Sequence, residues 1–332
     1  MPETRHDPFA GLPRIGMGCW AIGGPFRAGD ADVGWSGTDD VNSRAALEAA
    51  WEAGIRVFDT ADVYGAGHSE TLLGAFLRSR PDAVVVSKFG HAFDPATKQM
   101  TGERRDPAYV RAAIDASRKR LDRDCVDVVL LHLNDLRAET AEPLFDALDG
   151  LRAEGWIGAC GWSTDFPASV AAIGRREAFV AVEHAANVLL STPAMDAVAE
   201  RHGIAQLIRS PLAMGLLSGK YGGGERIAPD DVRNFSDGWN DWFTDRAATP
   251  RHAAKIAAIR DLLTTGGRTP AQGALSWLLA ATPRALPVPG AKTAAQAEEN
   301  AGALVHGPLP EDVMAKVERV LDRPPEGPPR AR

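Results

Sequence analysis

The chain has 332 residues, 45% of them hydrophobic and 24% charged, a composition typical of a globular protein that buries a substantial core. Its formal net charge of −7 disfavours a nucleic-acid backbone as the main partner. Its three cysteines lie far apart in sequence, which excludes a disulfide framework and makes a reducing cytoplasm the expected location.

Short aliphatic runs alternate along the chain with longer segments of helical period, a pattern that predicts βαβ units and a parallel sheet. The predicted strands span residues 15–20, 56–60, 83–89, 126–132, 157–163, 179–182, 205–209 and 285–289. The predicted helices span residues 43–53, 69–80, 107–121, 143–154, 167–175, 193–202, 250–264, 270–280 and 293–304. Eight such strands indicate a single (β/α)8 barrel domain over residues 1–332.

Local signals mark where several of these helices begin. Six of them start with proline, including Pro107 and Pro143, which suits a first turn because the missing N–H needs no partner there. The helix at Ser69 starts with a hydroxyl side chain that can accept an unpaired amide of the opening turn.

Two long segments lack a clear period and follow the first and seventh predicted strands. They span residues 24–40 and 221–245 and are rich in glycine, aspartate and aromatic residues. Insertions after barrel strands commonly shape the mouth of an active site, and we expect the same here. The Pro-rich tail at residues 323–332 is expected to be poorly packed.

Four polar residues lie at or just after the ends of predicted strands: Asp59, Tyr64, Lys88 and His132. In a parallel barrel these ends converge on one rim, so the four side chains are predicted to share a pocket. That set suits carbonyl reduction, in which a proton must reach the carbonyl oxygen as hydride arrives at the carbon.

Each of the four has a predicted role in that chemistry. Tyr64 is the candidate acid, and the ammonium of Lys88 would lower its pKa by stabilising the phenolate. Asp59 would keep Lys88 charged, because a buried ammonium needs a carboxylate to offset its desolvation. His132 would hydrogen-bond the substrate oxygen and orient it.

The same polar residues also allow other interpretations. Taken singly, a tyrosine, an ion pair or a histidine at a strand end is more often structural than catalytic. No metal is predicted, because no short ligand motif such as HExxH occurs. A metal-dependent barrel hydrolase nevertheless stays an alternative, with ligands drawn from Asp59, Asp62, His132, Asp135, Glu183 and His184.

Many short motifs of the chain, taken together, resemble the aldo-keto reductase superfamily, of a bacterial type. They lie at residues 58–65 (FDTADVYG), 67–70 (GHSE), 73–74 (LG), 87–90 (SKFG), 127–132 (DVVLLH), 161–163 (GWS), 210–212 (SPL), 219–221 (GKY) and 289–292 (PGAK). The resemblance covers nearly the whole chain. It implies an eight-stranded barrel that binds NADPH, or NADH, in an extended form without a Rossmann fold, in agreement with the lack of a GxGxxG motif after a strand.

By the same resemblance, the nicotinamide end of the cofactor site includes Ser163, whose family counterpart contacts the carboxamide. The usual neighbouring Asn is Thr164, and the usual Gln of the next strand is Glu183, whose carboxylate cannot donate a hydrogen bond. Arg209 stands where many relatives have an aromatic residue. We expect it to cover the nicotinamide and to pair with Glu183, although a purely structural salt bridge is equally open.

The resemblance also assigns the phosphate end of the site. The loop after the seventh strand would close over the pyrophosphate with its amides and Lys220. Lys292 and the start of the last predicted helix would hold the 2′-phosphate, which favours NADPH. The complete predicted cofactor set is Cys19, Trp20, Asp59, Ser163, Thr164, Glu183, Arg209, Ser210, Pro211, Leu212, Gly215, Leu217, Lys220, Gly290, Lys292, Thr293, Gln296, Glu299 and Asn300.

Aromatic residues are predicted to line the substrate mouth, which suits an apolar or ring-shaped carbonyl compound or a sugar face. The main candidates are Trp20, Trp35, Phe89 and Trp242, with Trp162, Trp239 and Phe243 as further ones. The sequence does not choose among aliphatic aldehydes, aryl aldehydes, sugars and steroids. No apolar run is long enough to span a bilayer, so no membrane partner is expected, and the oligomeric state stays open.

The predicted function is therefore NADPH-dependent reduction of an aldehyde or ketone to an alcohol, with a proton from Tyr64. Oxidation of a sugar or alcohol in the reverse direction would use the same groups with the Tyr64 phenolate as base. A non-catalytic NADPH-binding regulatory subunit is a further alternative.

Overall fold

The computed structural model describes residues 7–221, 224–234 and 241–322. Two sequence-based predictions concern residues outside these ranges: the poorly packed tail at residues 323–332 and the candidate substrate residue Trp239.

Within the described residues, eight parallel strands form one sheet, paired in chain order. A parallel bridge between Gly18 and Gly290 and a hydrogen bond from Gly16 N to Pro287 O (2.9 Å) join the last strand to the first. The predicted (β/α)8 barrel is therefore confirmed. The strands are β1 (Met17–Gly18), β2 (Val57–Asp59), β3 (Val84–Phe89), β4 (Val126–Leu131), β5 (Ile157–Ser163), β6 (Phe179–Ala185), β7 (Ala205–Arg209) and β8 (Ala285–Pro287).

Helices alternate with the barrel strands and surround them. The α-helices span Trp20–Gly23, Asp40–Glu52, His68–Leu77, Pro107–Leu121, Ala138–Ala153, Pro167–Ile173, Pro193–His202, Pro250–Leu263, Pro270–Ala281, Ala294–His306 and Glu311–Leu321. Short 3-10 helices span Ala213–Ser218 and Val232–Asn234. The helices at Trp20–Gly23 and Glu311–Leu321 were not predicted from the sequence.

Proline marks the start of most of the helices for which it was predicted, but not of all. The helix at Pro270 also has a capping box, in which Thr269 and Gln272 each satisfy the other's backbone amide. The predicted start at Pro143 is wrong, because that helix begins five residues earlier, at Ala138. Thr140 N and Ala141 N already bond to Arg137 O, so the first turn forms ahead of the proline.

The predicted capping role of Ser69 is also wrong. The helix begins at His68 after Gly67, whose φ of 93° is left-handed and whose position has no side-chain cap. The hydroxyl of Ser69 instead bonds to Thr60 Oγ1 and to Cys19 O, both at 2.8 Å. It thereby ties the end of β2 to the segment after β1, beside the predicted catalytic residues.

An apolar cluster fills the inside of the barrel, including Val57, Val86, Val128, Val180 and Leu207. Burial of one such side chain contributes roughly 1.5–3 kcal/mol to folding. Successive residues of a strand alternate between the two faces of the sheet, so residues two positions apart share a face. Asp59 and Lys88, two residues after Val57 and Val86, are thus held at the top of this cluster.

Two loops join to form a small four-stranded sheet of their own. The insertion after β1 supplies Arg27–Ala28 and Ala31–Asp32, and the segment after β3 supplies His91–Asp94 and Gln99–Glu103. This sheet was not predicted, because its strands are short and lie in segments without clear alternation. It stands at the carboxyl ends of the barrel strands, where it forms one wall of the cavity described next.

Candidate active site

A cavity of about 810 Å³ opens at the carboxyl ends of the barrel strands. This volume lies within the range of small-molecule and cofactor sites. Its walls include Asp59, Tyr64 and His132 of the predicted catalytic set. Lys88 lies directly behind them, with its side chain fully buried.

The ammonium of Lys88 connects the predicted catalytic residues. Its Nζ donates to Asp59 Oδ1 at 2.7 Å, to Asp59 Oδ2 at 2.8 Å and to Thr60 O at 2.9 Å. It also lies 3.4 Å from Tyr64 Oη, a long hydrogen bond. The structure therefore brings the phenol, the ammonium and the carboxylate together at one point on the cavity wall.

Close backbone packing holds Tyr64 in place. The next residue, Gly65, has a φ of 61°, and a Cβ there would lie 2.0 Å from Gly23 O. Only glycine fits that contact. On its other side the Tyr64 ring stacks on Trp20, with centroids 5.9 Å apart and planes 24° apart.

Glu183 is the second carboxylate at Lys88, and this placement corrects the predicted pairing with Arg209. Glu183 Oε2 lies 3.1 Å from Lys88 Nζ, whereas Arg209 Nη2 donates to Asp165 Oδ2. The strand register explains the difference. Glu183 on β6 lies beside Leu207 on β7, whereas Arg209 lies two residues further toward the carboxyl end of β7, beside Ala185. Asp165 lies at the higher level, where its Oδ1 accepts from Ala185 N at 2.8 Å.

The buried charges shift the pKa values of the whole cluster. Burial, and then the Glu183 carboxylate, raise the pKa of Asp59 well above its usual range. Burial lowers the pKa of Lys88, but Asp59 and Glu183 more than offset it, so that the pKa is raised. Burial also raises the pKa of Tyr64. The sequence-based expectation of a lowered value is wrong, although Lys88 does act in that direction.

The His132 ring packs edge-on against the Tyr64 ring, with ring centroids 5.9 Å apart. Burial lowers the pKa of His132 well below its usual range, and the neighbouring His91 and Lys88 lower it further. Its imidazole is therefore neutral at pH 7. A neutral imidazole carries one N–H that can be donated to a substrate oxygen.

His91 is a functional candidate that the sequence reasoning missed. It lines the cavity, and its ring centroid lies 5.2 Å from that of His132. Nδ1 of each histidine is buried without a hydrogen-bond partner among the described residues. His91 follows the end of β3, so the strand-end argument that selected Lys88 would also have found it.

The predicted carboxamide contacts are only partly on the cavity wall. Ser163 and Glu183 line the cavity. Thr164 does not, because its hydroxyl is turned away to donate to Asn134 O at 2.6 Å. Cys19 is also behind the wall, where its backbone N donates to Asp59 O at 2.7 Å.

The loop after β7 lines the cavity with Ser210, Pro211, Leu212, Gly215 and Lys220. Ser210 and Gly215 have φ values of 53° and 90°, which give the loop a tight, left-handed course. Leu217 is buried in the core and does not line the cavity.

A further cation of this region was not predicted. Arg233 lines the cavity beside that loop. It donates to Tyr221 Oη at 2.7 Å and pairs with Asp231 at 2.7 Å. It lies in the long insertion after β7, whose lack of periodicity gave no signal for single residues.

Lys292 closes the far end of the cavity, together with Gly290, Gln296, Glu299 and Asn300. Its Nζ donates to Ser36 O at 2.7 Å and lies 4.7 Å from the centroid of the Trp35 ring. Thr293 caps the following helix by accepting from Gln296 N at 3.3 Å, and it does not line the cavity.

Of the predicted aromatic residues, Trp20 and Trp35 line the cavity, with centroids 5.7 Å apart. Phe89 and Trp162 are fully buried and face the helices, because their neighbours Lys88 and Ser163 take the inward positions. Trp242 and Phe243 are buried in the apolar cluster against which Trp20 and Trp35 pack, and neither of the two lines the cavity. Contrary to the prediction, Phe89 and Trp242 do not line the cavity formed by the described residues, whose apolar wall includes Phe26, Val33 and Met100.

Among the described residues, no group of three or more His, Cys, Asp or Glu side chains is arranged to hold a metal ion. Over the same ranges, no helix is both long and apolar enough to cross a membrane.

The chain and its fold are similar to those of several known proteins. The chain is similar to the aldo-keto reductase yakc (NADP(+)) of Schizosaccharomyces pombe, with 28% identity over 88% of this chain and 84% of that protein. Its fold is similar to that of a glycerol dehydrogenase from Gluconobacter oxydans, with a TM-score of 0.78, 25% identity, and coverage of 96% of this chain and 95% of that one. It is also similar to that of an aldo-keto reductase from Klebsiella pneumoniae in complex with NADPH, with a TM-score of 0.67, 23% identity, and coverage of 95% and 92%.

A family model described as "Aldo/keto reductase family" matches residues 14–322, which is nearly all of the described chain. The match covers all eight barrel strands and the motifs at their carboxyl ends. The chain belongs to the aldo/keto reductase family, and the prediction of an NAD(P)H-dependent oxidoreductase is confirmed.

Proposed function

We propose that this protein reduces an aldehyde or ketone to an alcohol, with NADPH as the hydride donor and Tyr64 as the proton donor. The observation that carries the proposal is the contact of Lys88 with both Asp59 and Tyr64 on the wall of the cavity. The NADP-linked name of the fission-yeast relative and the NADPH complex of the Klebsiella relative support the choice of cofactor.

The residues of the cavity fit such a cofactor. Lys220, Arg233 and Lys292 line one end, and three cations suit the phosphates of a dinucleotide. Ser163 and Glu183 line the other end, beside Tyr64. The Glu183 carboxylate can accept from the N–H groups of the carboxamide, and the Ser163 hydroxyl can donate to its oxygen.

NADPH supplies the hydride when it is bound, and the side chains manage the proton. Tyr64 Oη gives its proton to the carbonyl oxygen as negative charge develops there. Lys88 Nζ, 3.4 Å from Tyr64 Oη, stabilises the charge left on the phenol, and Asp59 holds the ammonium in position. Neutral His132 donates an N–H to the same oxygen and orients the carbonyl.

Oxidation of an alcohol is the second candidate, favoured by the glycerol dehydrogenase among the structural relatives. It requires the Tyr64 phenolate as base. Because burial raises the pKa of Tyr64, the phenol is protonated at neutral pH, and reduction is the better-supported direction there. The complete set of Tyr64, Lys88 and His132 argues against a purely regulatory, non-catalytic subunit.

A panel of carbonyl compounds tests the proposal. Aliphatic and aryl aldehydes, open-chain sugars and steroid ketones would each be mixed with NADPH or NADH, and the loss of the reduced-nicotinamide absorbance would be followed by stopped flow. We expect turnover of at least one class, faster with NADPH. Tight NADPH binding without turnover of any class would favour the regulatory alternative, and no binding of either nucleotide would overturn the proposal.

A further inference from the structure

Lys88 is shared by two carboxylates that it does not hold equally. Asp59 receives two hydrogen bonds from Nζ, at 2.7 and 2.8 Å. Glu183 Oε2 lies 3.1 Å from Nζ, but it forms no well-directed hydrogen bond and is buried without such a partner among the described residues. Both carboxylate side chains are at most 5% exposed.

The charges around Tyr64 therefore do not balance. Lys88 contributes one positive charge, and Asp59 and Glu183 each contribute a negative one, which leaves a net charge of −1 when both carboxylates are ionised. The His132 ring next to Tyr64 is neutral at pH 7, and the Trp20 ring that stacks on Tyr64 is uncharged. A buried excess charge is costly, because the interior screens it poorly.

This excess acts on the ionisation of Tyr64. When both carboxylates are ionised, the phenol lies next to two negative charges and one positive charge. The phenolate must then form next to a cluster that is already negative. Burial is the largest cause of the raised pKa of Tyr64, and the Glu183 carboxylate adds to it while Lys88 opposes it.

We propose that Glu183 keeps Tyr64 protonated at alkaline pH, so that carbonyl reduction extends to a pH at which a neutral residue would leave a phenolate. The inference rests on the proposed function, in which Tyr64 is the proton donor. Glu183 acts through Tyr64 and Lys88, so it is a positioning residue that sets acidity rather than a group that exchanges the proton. A glutamine at this position has nearly the same shape as the glutamate but carries no charge.

The acidity of Tyr64 can be measured without cofactor, because the chain contains only three tyrosines. In a Tyr109→Phe/Tyr221→Phe background, Tyr64 is the sole source of tyrosinate absorbance. In that background we would compare Glu183 with Glu183→Gln and Glu183→Asp, and follow far-ultraviolet circular dichroism to confirm folding at each pH. Glu183→Ala gives a second neutral side chain if the Glu183→Gln variant does not fold.

We expect Glu183→Gln to shift the tyrosinate titration to lower pH by about one unit or more, which gives about tenfold more phenolate at any pH below the midpoint. The alkaline limb of the reduction rate should move by the same amount. Glu183→Asp keeps the charge and should restore most of the original profile. Glu177→Gln is the control variant: it removes the charge of an exposed carboxylate that forms an ion pair with Arg152, and it should change neither the titration nor the rate profile.

The outcomes separate this inference from the proposed function. Coincident titrations of the background protein and its Glu183→Gln variant would overturn the inference, even if Tyr64→Phe abolishes turnover. Retained turnover in Tyr64→Phe would overturn the proton-donor assignment, even if the titration moves. An equal shift in Glu183→Gln and Glu183→Asp would assign the effect to packing rather than charge, and would also overturn the inference.

Discussion

Lys88 and Asp59 form a buried ion pair in which one ammonium contacts both carboxylate oxygens, at 2.7 and 2.8 Å. The register of β2 and β3 creates this pair, because Asp59 is paired with Val86, two residues before Lys88 on the same face of the sheet. The ammonium is thus held at Tyr64 by the barrel itself and not by a mobile loop.

Replacement of Lys88 by Met should remove both the charge beside Tyr64 and the partner of two buried carboxylates. We expect reduction to fall by about 100-fold or more, since the proton donor loses its stabilising cation. The free energy of unfolding should fall by about 3–5 kcal/mol at neutral pH, because Asp59 and Glu183 are left uncompensated. Steady-state rates and urea denaturation measure the two effects, and a variant as stable and active as the parent would contradict the described role of Lys88.

We assign the 2′-phosphate of NADPH to Lys292, so replacement of Lys292 by Met should weaken NADPH binding about tenfold or more through the loss of a charge-assisted hydrogen bond. NADH lacks that phosphate, so its affinity should stay within about twofold. Lys220→Met is the matched control. Lys220 is assigned to the pyrophosphate, which both nucleotides contain, so its loss should weaken the binding of NADPH and NADH alike. Fluorescence titrations with each nucleotide test this, and equal losses of NADPH and NADH in Lys292→Met would refute the assignment.

The buried His132 should make the protein less stable in mild acid. Its pKa is lowered in the folded protein, so below pH 6.5 the unfolded chain binds a proton that the folded chain does not. Stability from this group is present above that pH and is lost as pH falls, by about 1.4 kcal/mol from pH 7.5 to 5.5. His132→Gln should show a correspondingly smaller loss in urea denaturation than the parent, and identical losses would show that His132 is protonated in the folded state.

The cluster of Asp59, Tyr64, Lys88 and His132 was predictable because its sequence signals are local and its geometry follows from the fold. A polar residue at the end of a barrel strand lies on the rim, and this argument alone located Asp59, Lys88 and His132. The same argument located Tyr64, which follows the end of β2, and the adjacent Gly65 proves to be a site without room for a Cβ. The argument missed His91 because, at β3, it was applied to Lys88 and not to the residues that follow the end of the strand.

The partners of buried charges were less predictable, because they depend on register between strands far apart in sequence. Along the paired strands β6 and β7, Arg209 lies two residues beyond the level of Glu183. Because of this offset, Glu183 contacts Lys88 and Arg209 contacts Asp165. Burial is the largest cause of the raised pKa of Tyr64, and the short sequence motif around Tyr64 does not show how deeply the side chain is buried. Phe89 was wrongly predicted to line the mouth for a related reason: because Lys88 takes the inward position on β3, its neighbour Phe89 faces the helices.

The most direct test of the account is single-turnover reduction by Tyr64→Phe, with NADPH binding measured on the same sample. The account predicts that hydride transfer falls by about 100-fold or more while NADPH affinity changes by less than about threefold, because the lost hydroxyl supplies the proton and not the cofactor contacts. Hydride transfer at the parental rate would show that another group protonates the carbonyl and would contradict the central role of Tyr64.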